Sequence, residues 1–218
     1  MVATTVRRGY RYVVRKENGT WPPRHHNGLD PGLVGPRAFE HPAVKEWWMW
    51  LLREYRPRAS VALVTPCSSV KPYTRSPTSR KIRGLLRRLG LWSAEESRPE
   101  GIEWLYLSDL LLLVPYERAE TYPACCYELA PDEVLRRPLI AYTVARVLST
   151  VVERLMEHGL ERLIVYLPRK HMELWSMARE RAAKWPEETI VRFSIFGLGG
   201  LREALEPLRH VPPLQELL

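Results

Sequence analysis

Cys67, Ser68, Lys71, Tyr73, Ser76 and Ser79 fall within thirteen consecutive residues of the stretch VALVTPCSSVKPYTRSPTSR, Val61 to Arg80. A lysine in such a loop can anchor a carboxylate or a phosphate, and serine and tyrosine hydroxyls can donate fixed hydrogen bonds. Cys67 offers either a nucleophilic thiol or a small residue tucked beneath a turn, and no histidine follows it in the loop. The competing reading of the whole stretch is a plain turn built from Pro, Ser and Thr, which spacing alone does not displace. A second group lies roughly forty residues on. Glu117 can hold an ammonium or move a proton there, with Tyr122 and Tyr127 as hydrogen-bond donors.

Both groups follow apolar runs. Val61 to Val64 reads as a strand that ends at Pro66, and Leu110 to Val114 as one that stops at Pro115. Buried parallel strands look like this, and open α/β sheets bind ligands beyond the carboxyl ends of their strands. If these two strands run parallel as neighbours, Lys71 and Glu117 project from one edge and frame one pocket. Ile102–Leu107, Leu163–Leu167 and Ile190–Phe196 read as further strands.

Helices are expected between them. His41-Pro42 opens one that buries Val44, Trp47, Trp48, Leu51, Leu52 and Tyr55 and leaves Trp50 off the stripe, as a candidate for a ligand or partner surface. Others span Ser79–Leu89, Pro138–His158 with Gly159 beyond its end, the segment after Leu167 that buries Leu174, Trp175, Ala178 and Ala182, and Leu201–Leu208. The repeated strand, loop, helix order predicts a three-layer α/β sandwich with a mainly parallel sheet of four to five strands and right-handed crossovers. Residues 1–40 read as an N-terminal strand (Val6 to Lys16) and an irregular arm, and residues 41–218 as the α/β core domain.

The chain has 218 residues and a net charge of +8. That length suits one domain with a small extension, and that charge favours a polyanionic partner. The positive charge is concentrated: from Lys71 to Arg88 there are seven cations (with Arg75, Arg80, Lys81, Arg83, Arg87 and Arg88) and no acid. Such a run reads either as a solvated face or as a phosphate-backbone contact that supplies affinity without sequence reading.

Three cysteines, two of them adjacent at Cys125-Cys126, give no CxxC and no zinc or iron–sulfur spacing. Free thiols in a reducing cytoplasm are expected, with a Cys67–Cys125 or Cys67–Cys126 bridge as the open alternative in a thermophile. His25-His26 is read without a metal, because adjacent histidines point in different directions on regular backbone. No cofactor is expected either: Gly197-Leu198-Gly199-Gly200 lacks the Walker Lys-Ser pair and the full GxGxxG spacing, so it reads as a tight turn. His171, beyond the third parallel strand, is a further site candidate or a surface residue. No apolar run reaches the ~18 residues of a membrane span, and the N-terminus does not resemble a signal peptide.

The segment P-C-S-x-x-K-P-Y-x-x-S resembles the signature of the archaeosine synthase core domain, a tRNA-modifying family related to tRNA-guanine transglycosylases. The matching residues are Pro66, Cys67, Ser68, Lys71, Pro72, Tyr73 and Ser76; Thr78 replaces the motif's last Ser and Ser79 its His. A second motif agrees at Val114, Pro115, Glu117, Glu120, Tyr122, Pro123, Ala124 and Tyr127, while Tyr116 replaces Arg and Glu128 replaces Asp. The resemblance runs from about Glu40 to Leu167 and includes neither a transglycosylase-like barrel nor a PUA domain.

The resemblance implies a stand-alone or split domain that acts on, or binds, a 7-deazaguanine-type base in tRNA and an amino-acid substrate. In that family the overall activity attaches lysine to a nitrile of the base. Lys71, Glu117 and Cys67 would be catalytic, and Ser68, Tyr73, Ser76, Tyr122 and Tyr127 would bind substrate. The cations from Arg75 to Arg88 would bind tRNA, and a partner subunit would carry the missing domains. With Ser79 in place of the histidine, the motif loses its one side chain that titrates near neutrality. The alternative is a non-catalytic basic nucleic-acid-binding or scaffold protein, or a uracil-DNA-glycosylase-like base-excision enzyme. The last needs an Asp, Asn or His poised on a water, and the signature loop has none.

Overall fold

A computed structural model of the chain describes residues 28–194 and 196–209. The expected strand Val6 to Lys16 and the His25-His26 pair lie outside those residues. From Asp30 onward the arm is docked on the domain. Two 3-10 turns, Pro31–Leu33 and Pro36–Glu40, bury Leu33 and Ala38, and Gly35 N–H donates to the Glu128 carbonyl at 2.8 Å.

Seven strands and six helices follow: α1 (Pro42–Arg53), β1 (Val61–Pro66), α2 (Pro77–Arg88), β2 (Trp92–Ser93), β3 (Arg98–Pro99), β4 (Glu103–Ser108) and β5 (Leu112–Pro115). Then come α3 (Pro131–Leu135), α4 (Pro138–Glu157), β6 (Arg162–Val165), α5 (Arg169–Arg179), β7 (Glu187–Ile190) and α6 (Gly199–Leu205). β2 and β3 pair as a small antiparallel hairpin. The main sheet has five strands in the order β5-β4-β1-β6-β7, parallel except for β5. The expected α/β sheet is therefore present.

Its helices lie on both faces for a simple reason. α2 links β1 to β4 and α5 links β6 to β7, and these connections move across the sheet in opposite directions. Right-handed crossovers then put the two helices on opposite sides. α4 presents Ala141, Val144, Ala145, Leu148, Val151, Val152 and Leu155 at the i, i+3, i+4 spacing that makes one buried face. Gly159 ends it with φ 95°, a conformation that favours glycine. Between β4 and α2, Trp104 stacks on Tyr116 with ring centroids 4.9 Å apart, and Tyr106 packs on Tyr73 at 5.0 Å.

Three expectations need correction. β5 is antiparallel to β4, with Ser108 opposite Leu112 and Leu105 opposite Pro115. The link of residues 109–111 explains it: a parallel crossover needs a dozen or more residues, whereas a turn this short folds the chain straight back. The last strand lies at Glu187–Ile190 rather than Ile190–Phe196; as an edge strand it tolerates the exposed Glu187. Trp50 is no open platform, for it packs between Trp47 and Tyr55 at 5.1 Å from each ring, with the Arg118 guanidinium 5.0 Å from its own.

Candidate active site

In the order β5-β4-β1-β6-β7 the connections leave β1 toward β4 on one side, and the strands beyond β1 on the other side are β6 and β7. Crevices at the carboxyl ends of such strands are where open α/β sheets place ligands. Three loops meet there: Cys67 follows β1, Asp109 follows β4, and His171 stands in the first turn of α5 after β6.

The loops after β1 and β4 are held by hydrogen bonds. Cys67 N–H extends the ladder to the Leu107 carbonyl at 2.9 Å. Ser68 Oγ accepts from Val70 N–H at 3.0 Å, and the Ser68 carbonyl accepts from Lys71 Nζ at 2.7 Å. After β4, Ser108 Oγ accepts from the N–H groups of Leu110 and Leu111 at 3.2 and 2.9 Å. Trp48 of α1 donates its indole N–H to the Leu110 carbonyl at 2.9 Å, so helix and turn together position Asp109.

The two sequence motifs meet in a buried hydroxyl line. Tyr73 donates to the Tyr127 hydroxyl at 2.6 Å, which lies 2.7 Å from Ser108 Oγ. Thr74 is hydrogen-bonded to Glu120, a second tie between them. Lys71 is buried with its ammonium 4.1 Å from the centre of the Tyr127 ring and 5.1 Å from that of Tyr73, contacts that stabilise a cation away from water.

At the centre, Cys67 Sγ lies 3.4 Å from Asp109 Oδ2 and 3.4 Å from His171 Nε2, and His171 Nε2 is 3.7 Å from Asp109 Oδ2. The sulfur and the carboxylate face the same imidazole nitrogen, so the three atoms form a triangle rather than a relay. Asp109 is fully buried, and its Oδ1 has no hydrogen-bond partner among the described residues. Burial, reinforced by the neighbouring sulfur, holds the Asp109 carboxyl well above the usual range, so its protonated form is favoured. Burial also pushes His171 down, partly offset by Asp109. It lowers Lys71 too, against the pull of Cys67, Asp109 and Glu128.

The carboxyl edge of the sheet thus collects Cys67 and Lys71, with the partly buried Ser68 beside them and the buried Tyr73 and Tyr127 behind. It does not collect Glu117. Because β5 runs back, Glu117 lies at the amino edge of the sheet, paired with Arg58 at 2.9 Å, and the pocket expected between Lys71 and Glu117 does not form. Ser76 caps α2, accepting from Ser79 N–H at 3.1 Å. Ser79, where the resembled motif has histidine, is buried against that cap at 3.0 Å. Tyr122 is 48% exposed and donates to Asp30 at 2.9 Å; desolvation and that carboxylate push its hydroxyl up to about 12.

Arg75, Arg80, Lys81, Arg87 and Arg88 are exposed and Arg83 is partly buried beside Tyr116. All three cysteines are free, so neither cysteine bridge from Cys67 forms. Asp109 was not anticipated, although a lone Ser-Asp pair between two leucine-rich runs was its signal.

The fold and crevice define an α/β domain with a thiol, imidazole and carboxyl cluster at the carboxyl edge of its sheet. The chain belongs to the family described as Domain of unknown function (DUF5591), matched over residues 44–195. It is 34% identical over 74 residues to archaeosine synthase subunit alpha of Thermoplasma acidophilum, a match that spans 34% of this chain and 13% of that protein. A crystal structure of AF0587, a protein of unknown function, aligns with 77% of this chain and 50% of its own, at 16% identity and a TM-score of 0.47. Among the described residues no helix is long and apolar enough to cross a membrane.

Proposed function

We propose that this chain carries an archaeosine-synthase-like domain of tRNA modification, working in the cytoplasm through the unit 41–218. Its strand-end crevice takes a 7-deazaguanine-type base and an amino-acid amine. The observation that carries this reading is the convergence of Cys67, Asp109 and His171 within 3.7 Å beside buried Lys71.

The chemistry follows from the contacts. Cys67 sulfur adds to the nitrile carbon of the base; a C–S bond forms as one C≡N π bond breaks, and the thiol proton passes to His171 Nε2. Asp109, biased toward its acid form, gives a proton to the nitrile nitrogen. Lys71 supplies positive charge as negative charge develops. The incoming amine then forms a C–N bond as the C–S bond breaks; its proton restores the Asp109 acid and the imidazolium proton returns to sulfur, which gives an amidine and the free thiol. Glu117 has no place in this sequence.

The basic solvent face of α2 would hold tRNA phosphates, and a partner subunit with transglycosylase-like or PUA domains would present the base. The same face supports a second reading, a non-catalytic RNA-binding scaffold. Mass spectrometry after incubation with a 7-deazaguanine nitrile distinguishes them. An adduct that maps to Cys67 and is lost in Cys67→Ala is expected. No adduct, with calorimetry showing that neither the nitrile nor lysine binds while tRNA still does, would leave only the scaffold.

A further inference from the structure

We infer that Cys67, Asp109 and His171 form a binding site for one thiophilic divalent cation of the zinc class, and that this ion and the nitrile substrate compete for the same sulfur. The site itself stands on geometry. Only its regulatory consequence rests on the proposed nucleophilic role of Cys67.

The residue types are those that zinc selects: one thiolate, one imidazole and one carboxylate. Zinc bonds of about 2.3 Å to sulfur and about 2.0–2.2 Å to nitrogen and oxygen, arranged tetrahedrally, put the donor atoms about 3.3–3.6 Å apart. The observed separations of 3.4, 3.4 and 3.7 Å come within about 0.4 Å of one face of such a tetrahedron. A nucleophile–base–acid relay would instead put the carboxylate on the far nitrogen of the imidazole. Here both neighbours face Nε2, the atom that would bind the ion.

Asp109 contributes a second, independent observation. Its carboxylate is completely buried, and Oδ1 has no partner among the described residues. A buried polar atom left without a partner is costly unless something occupies its lone pairs, and a cation held by both oxygens of this carboxylate would do so. Lys71, the nearby cation, is tethered to the Ser68 carbonyl at 2.7 Å and over the Tyr127 ring.

Among the described residues these three are the one group of His, Cys, Asp or Glu donors close enough together to hold an ion. Three protein ligands leave a fourth position open, the pattern of zinc sites that admit a further molecule. Binding the ion deprotonates Cys67 and uses the lone pair that would attack a nitrile, so an occupied site is a silenced nucleophile.

The test uses the full chain, stripped with chelator under reducing conditions and freed of chelator. Co2+ titration should give a thiolate-to-cobalt charge-transfer absorption with one ion per chain. Zn2+, measured against a chromophoric chelator, should bind with the same stoichiometry. Cys67→Ser should abolish the absorption, His171→Gln should weaken binding by about tenfold or more, and the Cys125→Ser/Cys126→Ser double variant should bind as the unaltered chain does.

No thiolate–cobalt absorption, or an absorption that survives Cys67→Ser and vanishes in the double variant, would overturn the site. Should Cys67→Ser fail to fold, iodoacetamide labelling of the unaltered chain decides. Zn2+ should slow alkylation of Cys67 at least about tenfold, and equal labelling with and without Zn2+ refutes the inference. If the ion binds and no nitrile adduct ever forms, the catalytic reading falls and the metal site stands. If the adduct forms at the same rate with Zn2+ present, the competition falls.

Discussion

Glu103 and Asp109 mark the two ends of one strand. Glu103 begins β4 and Asp109 follows its last residue, and both carboxyls are buried, at 4% and 0% exposure. Burial raises both above the ordinary carboxylate range. Their surroundings differ. Glu103 accepts from the Tyr55 hydroxyl and, through its other oxygen, from Arg58 N–H at 2.9 Å, with the Arg58–Glu117 pair outside it. Asp109 meets a thiol and an imidazole through one oxygen and has no hydrogen-bond partner at the other among the described residues. A buried carboxylate with both oxygens satisfied fastens the fold, and one left with a lone pair open is available to a ligand.

The largest effect that tests this contrast is on chemistry. Cys67→Ala should lower turnover of a 7-deazaguanine nitrile by about 10³-fold or more, with little change in the urea unfolding midpoint. A variant that keeps its activity removes the carboxyl edge from the reaction.

Asp109→Asn and Glu103→Ala should behave oppositely. Asp109→Asn removes a poorly satisfied carboxyl, so stability should change by less than about 1 kcal/mol, while the rate falls about 10²- to 10⁴-fold with the loss of an acid. Glu103→Ala strands the Tyr55 hydroxyl and Arg58 N–H and should cost about 1–3 kcal/mol in chemical denaturation without loss of activity in the folded fraction. If Glu103→Ala inactivates a fully stable protein, the roles of the two ends are reversed.

Titration sharpens the same comparison. The folded Glu103 carboxyl keeps its proton to a pH above its ordinary 4.5, mainly because it is buried. The folded state therefore binds more protons than the unfolded chain in that range. Its contribution is full below about pH 4.5 and is lost as pH rises through the folded value. Glu103→Gln should flatten this part of the stability profile as pH rises from about 4.5, measured by urea unfolding against the unaltered chain; a profile that keeps its slope would assign it elsewhere. Smallest of all should be Glu117→Gln. Its pair with Arg58 is partly exposed, so the cost should be about 0–1 kcal/mol, and activity should not change.

Much of the scaffold was legible. The strand Val61–Pro66, its polar loop, the α1 and α4 stripes and the proline-led helix starts all follow from local periodicity and capping. Ser76 illustrates this, since it occupies the cap position that its side chain prefers. The placement of the loop residues was legible in part. Cys67 and Lys71 share the carboxyl edge of the sheet, whereas Glu117 lies at the other edge, because β5 runs antiparallel to β4. The length of the 109–111 link argues for that direction. Asp109 was hidden between leucines, and its neighbours are far away in the chain. Cys67 lies 42 residues from it, and His171 lies 104 residues from Cys67.

On its own, then, the order of amino acids determined which segments are strands and helices and which loop is rich in reactive side chains. These depend on interactions within a few residues, and apolar spacing and caps report them directly. The order and direction of the strands were decided only in the folded molecule, because pairing joins residues far apart in the chain through the burial of shared faces. The arrangement β5-β4-β1-β6-β7 brings a thiol, a carboxyl and an imidazole from three separate loops to one edge and sends Glu117 to the other. The candidate site is a product of that packing.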